Sequence, residues 1–127
     1  APSLRLALDV AIDGRIYLLM GDGSIKPYFS GTYDPSFEVD ELSDPQFMPM
    51  VMAMESDQDE GLVYLGDSRL ERITVVDKRG EFKHQFRLPG GGLRQIEALA
   101  VSEEPHVLFL VADNRIYAAK LPDFVEP

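Results

Sequence analysis

The sequence contains no cysteine and no tryptophan, only two histidines, and no apolar run longer than the six residues from Val107 to Ala112. Without cysteine there are no disulfides and no thiolate metal sites; the compartment is left open, because exported proteins can also lack the residue. Two histidines and no thiol do not make a transition-metal cluster, so neither a metal nor a cofactor is expected. A bilayer-spanning helix needs roughly 18 or more apolar residues, which excludes one here and predicts a soluble domain. Basic residues are also scarce, 12 Lys and Arg against 22 Asp and Glu, for a net charge of −10. A phosphate binder uses cations to release counterions, so nucleic acid is not the expected partner.

What is present is globular composition, 45% hydrophobic and 27% charged in 127 residues, enough for one small domain. The chain begins at Ala1 with no basic-then-apolar leader, which predicts a processed form or a piece of something longer. Charge is uneven: residues 31–60 hold nine acids and no base, whereas 69–94 hold seven bases and three acids. Solvated loops and charged strand edges account for this pattern, and so would a dipolar surface that recognises another chain or a second copy.

A repeat organises the sequence. Ala7-Leu8-Asp9-Val10 followed by Gly14-Arg15-Ile16-Tyr17-Leu18 recurs as Ala53-Met54-Glu55-Ser56 with Gly61-Leu62-Val63-Tyr64-Leu65. It recurs again as Ala98-Leu99-Ala100-Val101 with His106-Val107-Leu108-Phe109-Leu110. The alanines are 46 and 45 residues apart and the aromatics 47 and 45. Within each copy the apolar period is two, as in Leu4, Leu6, Leu8, Val10 and Ile12, which indicates strands. The second copy predicts strands near 50–56, 62–66, 70–77 and 81–88, the last pointing Phe82, His84, Phe86 and Leu88 to one side. The first predicts strands near 4–12, 15–20 and 24–29 with a hairpin at Gly21-Asp22-Gly23, and a short edge strand near 36–40. The third predicts strands near 97–101, 107–112 and 114–120 and has no room for a fourth.

Four short antiparallel strands in about 45 residues is the unit of a β-propeller blade. The expected fold is therefore all-β, one partial propeller domain: blade 1 over about 4–49 with an acidic insertion at 31–49, blade 2 over about 50–90, and blade 3 over about 95–122 without its outer strand. Gly61-Leu62-Val63-Tyr64-Leu65-Gly66-Asp67-Ser68, Arg72-Ile73-Thr74-Val75-Val76-Asp77, Gly80-Glu81-Phe82 and Gln85-Phe86 together resemble an NHL-type repeat. Val111-Ala112-Asp113-Asn114-Arg115-Ile116-Tyr117 resembles it in compressed form. The resemblance implies six-bladed propeller architecture, a fold that hosts binding scaffolds, sensors, lyases and lactonases and so does not set activity. About 2.8 blades cannot close a ring that takes 4–8. Completion by a longer parent chain or by a second copy is expected, with apolar faces such as Leu4/Leu6/Leu8 or Phe82/Phe86 bare at the two ends otherwise.

Catalytic and ligand motifs fail on spacing. Asp57-Gln58-Asp59-Glu60-Gly61 is not an EF-hand loop, since Leu62 stands where glycine is needed and Ser68 where glutamate is needed. Gly66-Asp67-Ser68-Arg69-Leu70 resembles a lipase and esterase block but lies between two strands, with no downstream Asp-x-x-His. Pro89-Gly90-Gly91-Gly92-Leu93-Arg94 lacks the Lys-Ser/Thr of a phosphate loop and reads as a link between blades. His84 is expected in an apolar layer, and Met48, Met50, Met52 and Met54 on a strand packed between blades. Ligand contacts are expected where second strands join third strands and where blades join, which selects Asp22, Asp67, Arg69, Arg94, Glu97, Asp113 and Arg115. The reading is a non-catalytic propeller binding or scaffold module; the alternative is a fragment of a metal-assisted lactonase- or lyase-type propeller.

Overall fold

A computed structural model describes residues 7–35, 48–67, 71–87 and 95–120. Among these residues eleven strands form three antiparallel sheets, each with its strands side by side in chain order. Sheet 1 holds β1 (Ala7–Ile12), β2 (Ile16–Met20), β3 (Ile25–Phe29) and β4 (Thr32–Tyr33). Sheet 2 holds β5 (Val51–Met54), β6 (Leu62–Asp67), β7 (Arg72–Asp77) and β8 (Phe82–Phe86). Sheet 3 holds β9 (Ile96–Glu103), β10 (His106–Ala112) and β11 (Arg115–Lys120). No helix among the described residues is long and apolar enough to cross a membrane.

Turn chemistry fixes the hairpins. Ser30-Gly31 (φ +49° and +82°) and Asp113-Asn114 (φ +51° and +64°) are two-residue turns whose positive φ at both positions matches the twist of the strands they join. At the β7–β8 turn, Asp77 Oδ1 accepts the backbone N–H groups of Arg79 and Glu81, a local side-chain bond of the kind that makes aspartate a turn residue.

The core consists of two inter-sheet layers. Between sheets 1 and 2 lie Tyr17, Leu19, Ile25, Met52, Val63, Leu65 and Val76; between sheets 2 and 3 lie Val51, Ala53, Tyr64, Ile73, Val75, Leu108 and Leu110. Sheet 2 is thus covered on both faces, which explains why β6 and β7 read as nearly continuous apolar runs rather than strict alternation.

Several sequence-based placements change. The outer strand of sheet 1 is β4 at Thr32–Tyr33; the edge strand expected near 36–40 falls outside the described residues. One placement holds: in β1 the apolar series Leu8, Val10 and Ile12 faces away from sheet 2 and is 48–68% exposed, as expected of an end face, while Leu4 and Leu6 lie outside the described residues. The alternate series faces sheet 2, with Asp9 Oδ2 accepting Met52 N–H at 2.9 Å. β1 carries a bulge between Ala7 and Asp9, and the turns joining first to second strands differ in length, so that Ala11, Ala53 and Ala100 are the alanines opposite Tyr17, Tyr64 and Phe109. The sequence-matched Ala7 and Ala98 do lie on the first strands but not opposite the aromatics. A second bulge, between Val75 and Val76, pairs His84 with Val75 and Phe82 with Val76, putting Phe82 and His84 on opposite faces. His84 is exposed rather than held in an apolar layer, and Phe82, at 45% exposure, belongs to the middle sheet and not to an end. Of the methionines, Met52 is buried and Met54 packs against the layer between sheets 1 and 2, while Met50 is exposed.

Candidate functional site

The sheets present two rims. One carries the joins from second to third strands, and this is where sequence reasoning placed ligand contacts. Asp22 sits in the exposed β2–β3 turn, its Oδ1 accepting Ser24 N–H at 2.9 Å and the Ser24 hydroxyl at 2.6 Å. The Ser24 hydroxyl, then its N–H, hold the carboxyl below its ordinary range. Asp67 ends β6 fully buried, with Oδ2 accepting Met48 N–H at 2.7 Å. Asp113 opens the β10–β11 turn and donates its N–H to Gln95 O, Arg115 begins β11 exposed, and Glu97 is exposed on β9. Arg69 and Arg94 lie outside the described residues. Asp22 and Asp67 thus spend carboxylate oxygens on the chain's own turns.

The opposite rim carries the joins from first to second and from third to fourth strands, and polar side chains reach between sheets there. Lys78, in the β7–β8 turn of sheet 2, extends its Nζ to Asp13 Oδ2 in the β1–β2 turn of sheet 1 at 2.6 Å and to Glu55 O at 2.8 Å. Both side chains of the pair are at most 2% exposed, so removing either would strand the other's charge in the interior. Gln58 Nε2 donates to Asp13 O at 2.8 Å and lies against Gly14, whose φ of +112° and lack of a Cβ permit that approach. Tyr17, with Lys78 Nζ 5.9 Å from its ring centroid, accepts from Arg15 Nη1 at 3.3 Å. Burial pushes the Tyr17 hydroxyl above its ordinary range against the opposing pull of Arg15.

A second polar cluster joins sheets 2 and 3. Glu55 Oε2 accepts the Tyr64 hydroxyl at 2.5 Å and lies 2.6 Å from His106 Nε2. An ionised carboxylate only accepts, so His106 carries a proton on Nε2 in this arrangement. Burial first, and the bond to Glu55 second, push the Tyr64 hydroxyl far above the usual tyrosine range. Beside this cluster, Glu103 accepts Ser56 N–H and the Ser56 hydroxyl. His106, Glu55 and Tyr64 are acid–base residue types, but Glu55 and Tyr64 of sheet 2 bond each other and His106 of sheet 3, and Tyr64 is held protonated. The arrangement works as a clasp.

Next to the Lys78–Asp13 pair, on the same rim, a cleft of about 420 Å³ opens between sheets 1 and 2, within the usual size range of ligand sites. Arg15, Tyr17, Pro27 and Asp34 line one side, and Gln58, Asp59, Glu60, Lys78 and Arg79 the other. Among the described residues no group of three or more His, Cys, Asp or Glu is placed to hold a metal ion. Sequence reasoning missed this rim. The available signal was the repeat's aromatic position: a tyrosine buried there needs a partner for its hydroxyl, which points to polar residues in the turn that precedes its strand, Arg15 and Glu55.

No protein-family model matches the sequence, and no curated protein matches it significantly. Solved structures do. The fold is that of β-propeller blades, three of them in an arc. The WD40 repeats of RRP9 are similar over 92% of this chain and 36% of that one, with a TM-score of 0.68 and 17% identity. The computationally designed Ika4 protein is similar over 89% of this chain and 64% of that one, with a TM-score of 0.61 and 15% identity. The chain therefore spans little more than a third of the first structure and under two thirds of the second.

Proposed function

We propose that the chain is a non-catalytic β-propeller interaction module with blades of the NHL kind, whose ring is completed by further blades from a longer chain or from a second copy. One observation carries this reading. Large apolar side chains stand exposed on the outer faces of sheets 1 and 3: Val10 at 52%, Ile12 at 68%, Ile16 at 45%, Phe109 at 41% and Ile116 at 78%. Exposed apolar surface of this extent marks a protein contact. The rim bearing Asp22, Glu97, Asp113 and Arg115 and the cleft on the other rim supply mixed charges suited to a polar or protein partner. The metal-assisted hydrolase alternative gains no support from Asp67, whose carboxylate is taken up by Met48 N–H.

The test is binding of an anilinonaphthalene sulfonate dye to dilute chain. The expected result is enhanced fluorescence in a chain with native-like circular dichroism, reduced when Ile12 and Ile116 are changed to threonine. A folded dilute chain that does not bind the dye would overturn the reading, because its end faces would then be covered by its own residues.

A further inference from the structure

We infer that the outer face of sheet 3 docks on the outer face of sheet 1 of a second copy, and the reverse, so that two chains close one six-bladed ring. The inference rests on the interaction-module reading and names its partner.

The repeat supplies the first argument. Ile16, Val63 and Leu108 occupy one repeat position, on the face toward the preceding sheet. Val63 and Leu108, which have a preceding sheet, are 0% exposed, whereas Ile16 is 45% exposed. Tyr17, Tyr64 and Phe109 occupy the next position, on the face toward the following sheet. Tyr17 and Tyr64, which have a following sheet, are 0% exposed, whereas Phe109 is 41% exposed. The two end faces are thus the two halves of a junction that the chain already makes twice.

The second argument is chemical. At both internal junctions the aromatic is a tyrosine, and the next sheet brings a basic side chain to it: Lys78 lies over the Tyr17 ring, and His106 is 3.2 Å from the Tyr64 hydroxyl. At the open end the aromatic is Phe109, which has no hydroxyl. Its strand partners are Ala100 and Ala118. In sheet 1 the residue matching His106 is Gly14, and the turn matching that of Lys78 is Ser30-Gly31, which carries no charge. The tyrosine and the basic side chain that the next sheet brings to it are missing together, on opposite ends of one chain. Joined, the two faces form an apolar junction that leaves no polar group of these positions unpaired.

The number of blades agrees. Two arcs of three give six blades, within the range of closed propellers, and a two-fold closed pair leaves no end free to recruit a third chain.

Sedimentation of the 127-residue chain at micromolar concentration, with intact mass measured on the same sample, tests the inference. The expected species has twice the 14.2 kDa chain mass. Ile16→Lys and Phe109→Lys each alter an exposed position and lower the net negative charge. Each is expected to weaken association by about 100-fold, because each puts an unpaired charge into both junctions. An equimolar mixture of the two variants, which restores one native junction, should associate more strongly than either alone. A monomer at all concentrations, an open-ended series of oligomers, or loss of association in only one of the two variants would overturn the ring. If the dilute chain binds the dye but never dimerises, the ring is wrong and the interaction module stands; if it does neither, both fall.

Discussion

At the scale of single residues, the polar groups that matter most are those the fold buries between sheets. Tyr64 shows the consequence for pH. Its folded hydroxyl titrates well above the ordinary tyrosine range because of burial and the Glu55 carboxylate, while in the unfolded chain it ionises near 10. A group with a raised folded pKa contributes stability that is present below its unfolded value and is lost as pH rises. The chain should therefore lose stability above about pH 10, with Tyr17 adding in the same direction. Tyr64→Phe should cost about 2 kcal/mol at neutral pH, the net worth of one hydrogen bond to a charged group, and should reduce the alkaline loss. Urea midpoints at pH 8 and near pH 11 would check this; an equal fall in wild type and variant would contradict it. Little of this was legible in advance: Glu55 and His106 are 51 positions apart, and no local pattern ties them.

At the scale of elements, the hairpins were the most legible features, because turn geometry depends on adjacent residues. Gly21-Asp22-Gly23 forms its turn with Gly23 at φ +87° and Ser24 bonded to Asp22. Asn114, at φ +64°, gives a direct test. Asn114→Ala should destabilise the chain by about 1 kcal/mol, since alanine keeps the β-carbon that crowds the carbonyl oxygen in the left-handed region but lacks the short polar side chain that lets asparagine adopt it. Asn114→Gly should be nearly neutral or slightly stabilising. Thermal or urea unfolding of the two variants checks this; equal stability of the alanine and glycine variants would contradict it. The bulges were not legible. Between Ala7 and Asp9 and between Val75 and Val76 one residue slips the register, and after a slip every later side chain changes face. This is why Phe82 and His84, two apart in sequence, do not share a side.

At the scale of the whole molecule, sheet 2 is supported on both faces and the end sheets on one. Hydrogen exchange should follow that difference. Amides of β6 and β7, whose residues are nearly all buried, should exchange slowest, and those of β1 and β11 at least about 10-fold faster in dilute solution. Uniform protection across the three sheets in a dilute monomer would contradict the arc description. Under ring closure, protection of β1, β2, β10 and β11 should rise with concentration while that of β6 and β7 changes least.

The sequence by itself determined the number of sheets, their antiparallel order and most strand limits, because alternation, turn residues and a 45–47-residue repeat are properties of neighbours and of copies. Tertiary structure alone decided which sheet lies in the middle, which alanine meets which aromatic, and which rim holds the buried polar clusters. Period two puts Leu8, Val10 and Ile12 on one face, but only the stacking turns Asp9 and Ala11 toward sheet 2. Lys78 and Asp13 look like surface turn residues until two sheets stack and exclude water from both. Burial is set by what a neighbouring sheet covers, and that neighbour lies about one repeat away along the chain, beyond the reach of local sequence pattern.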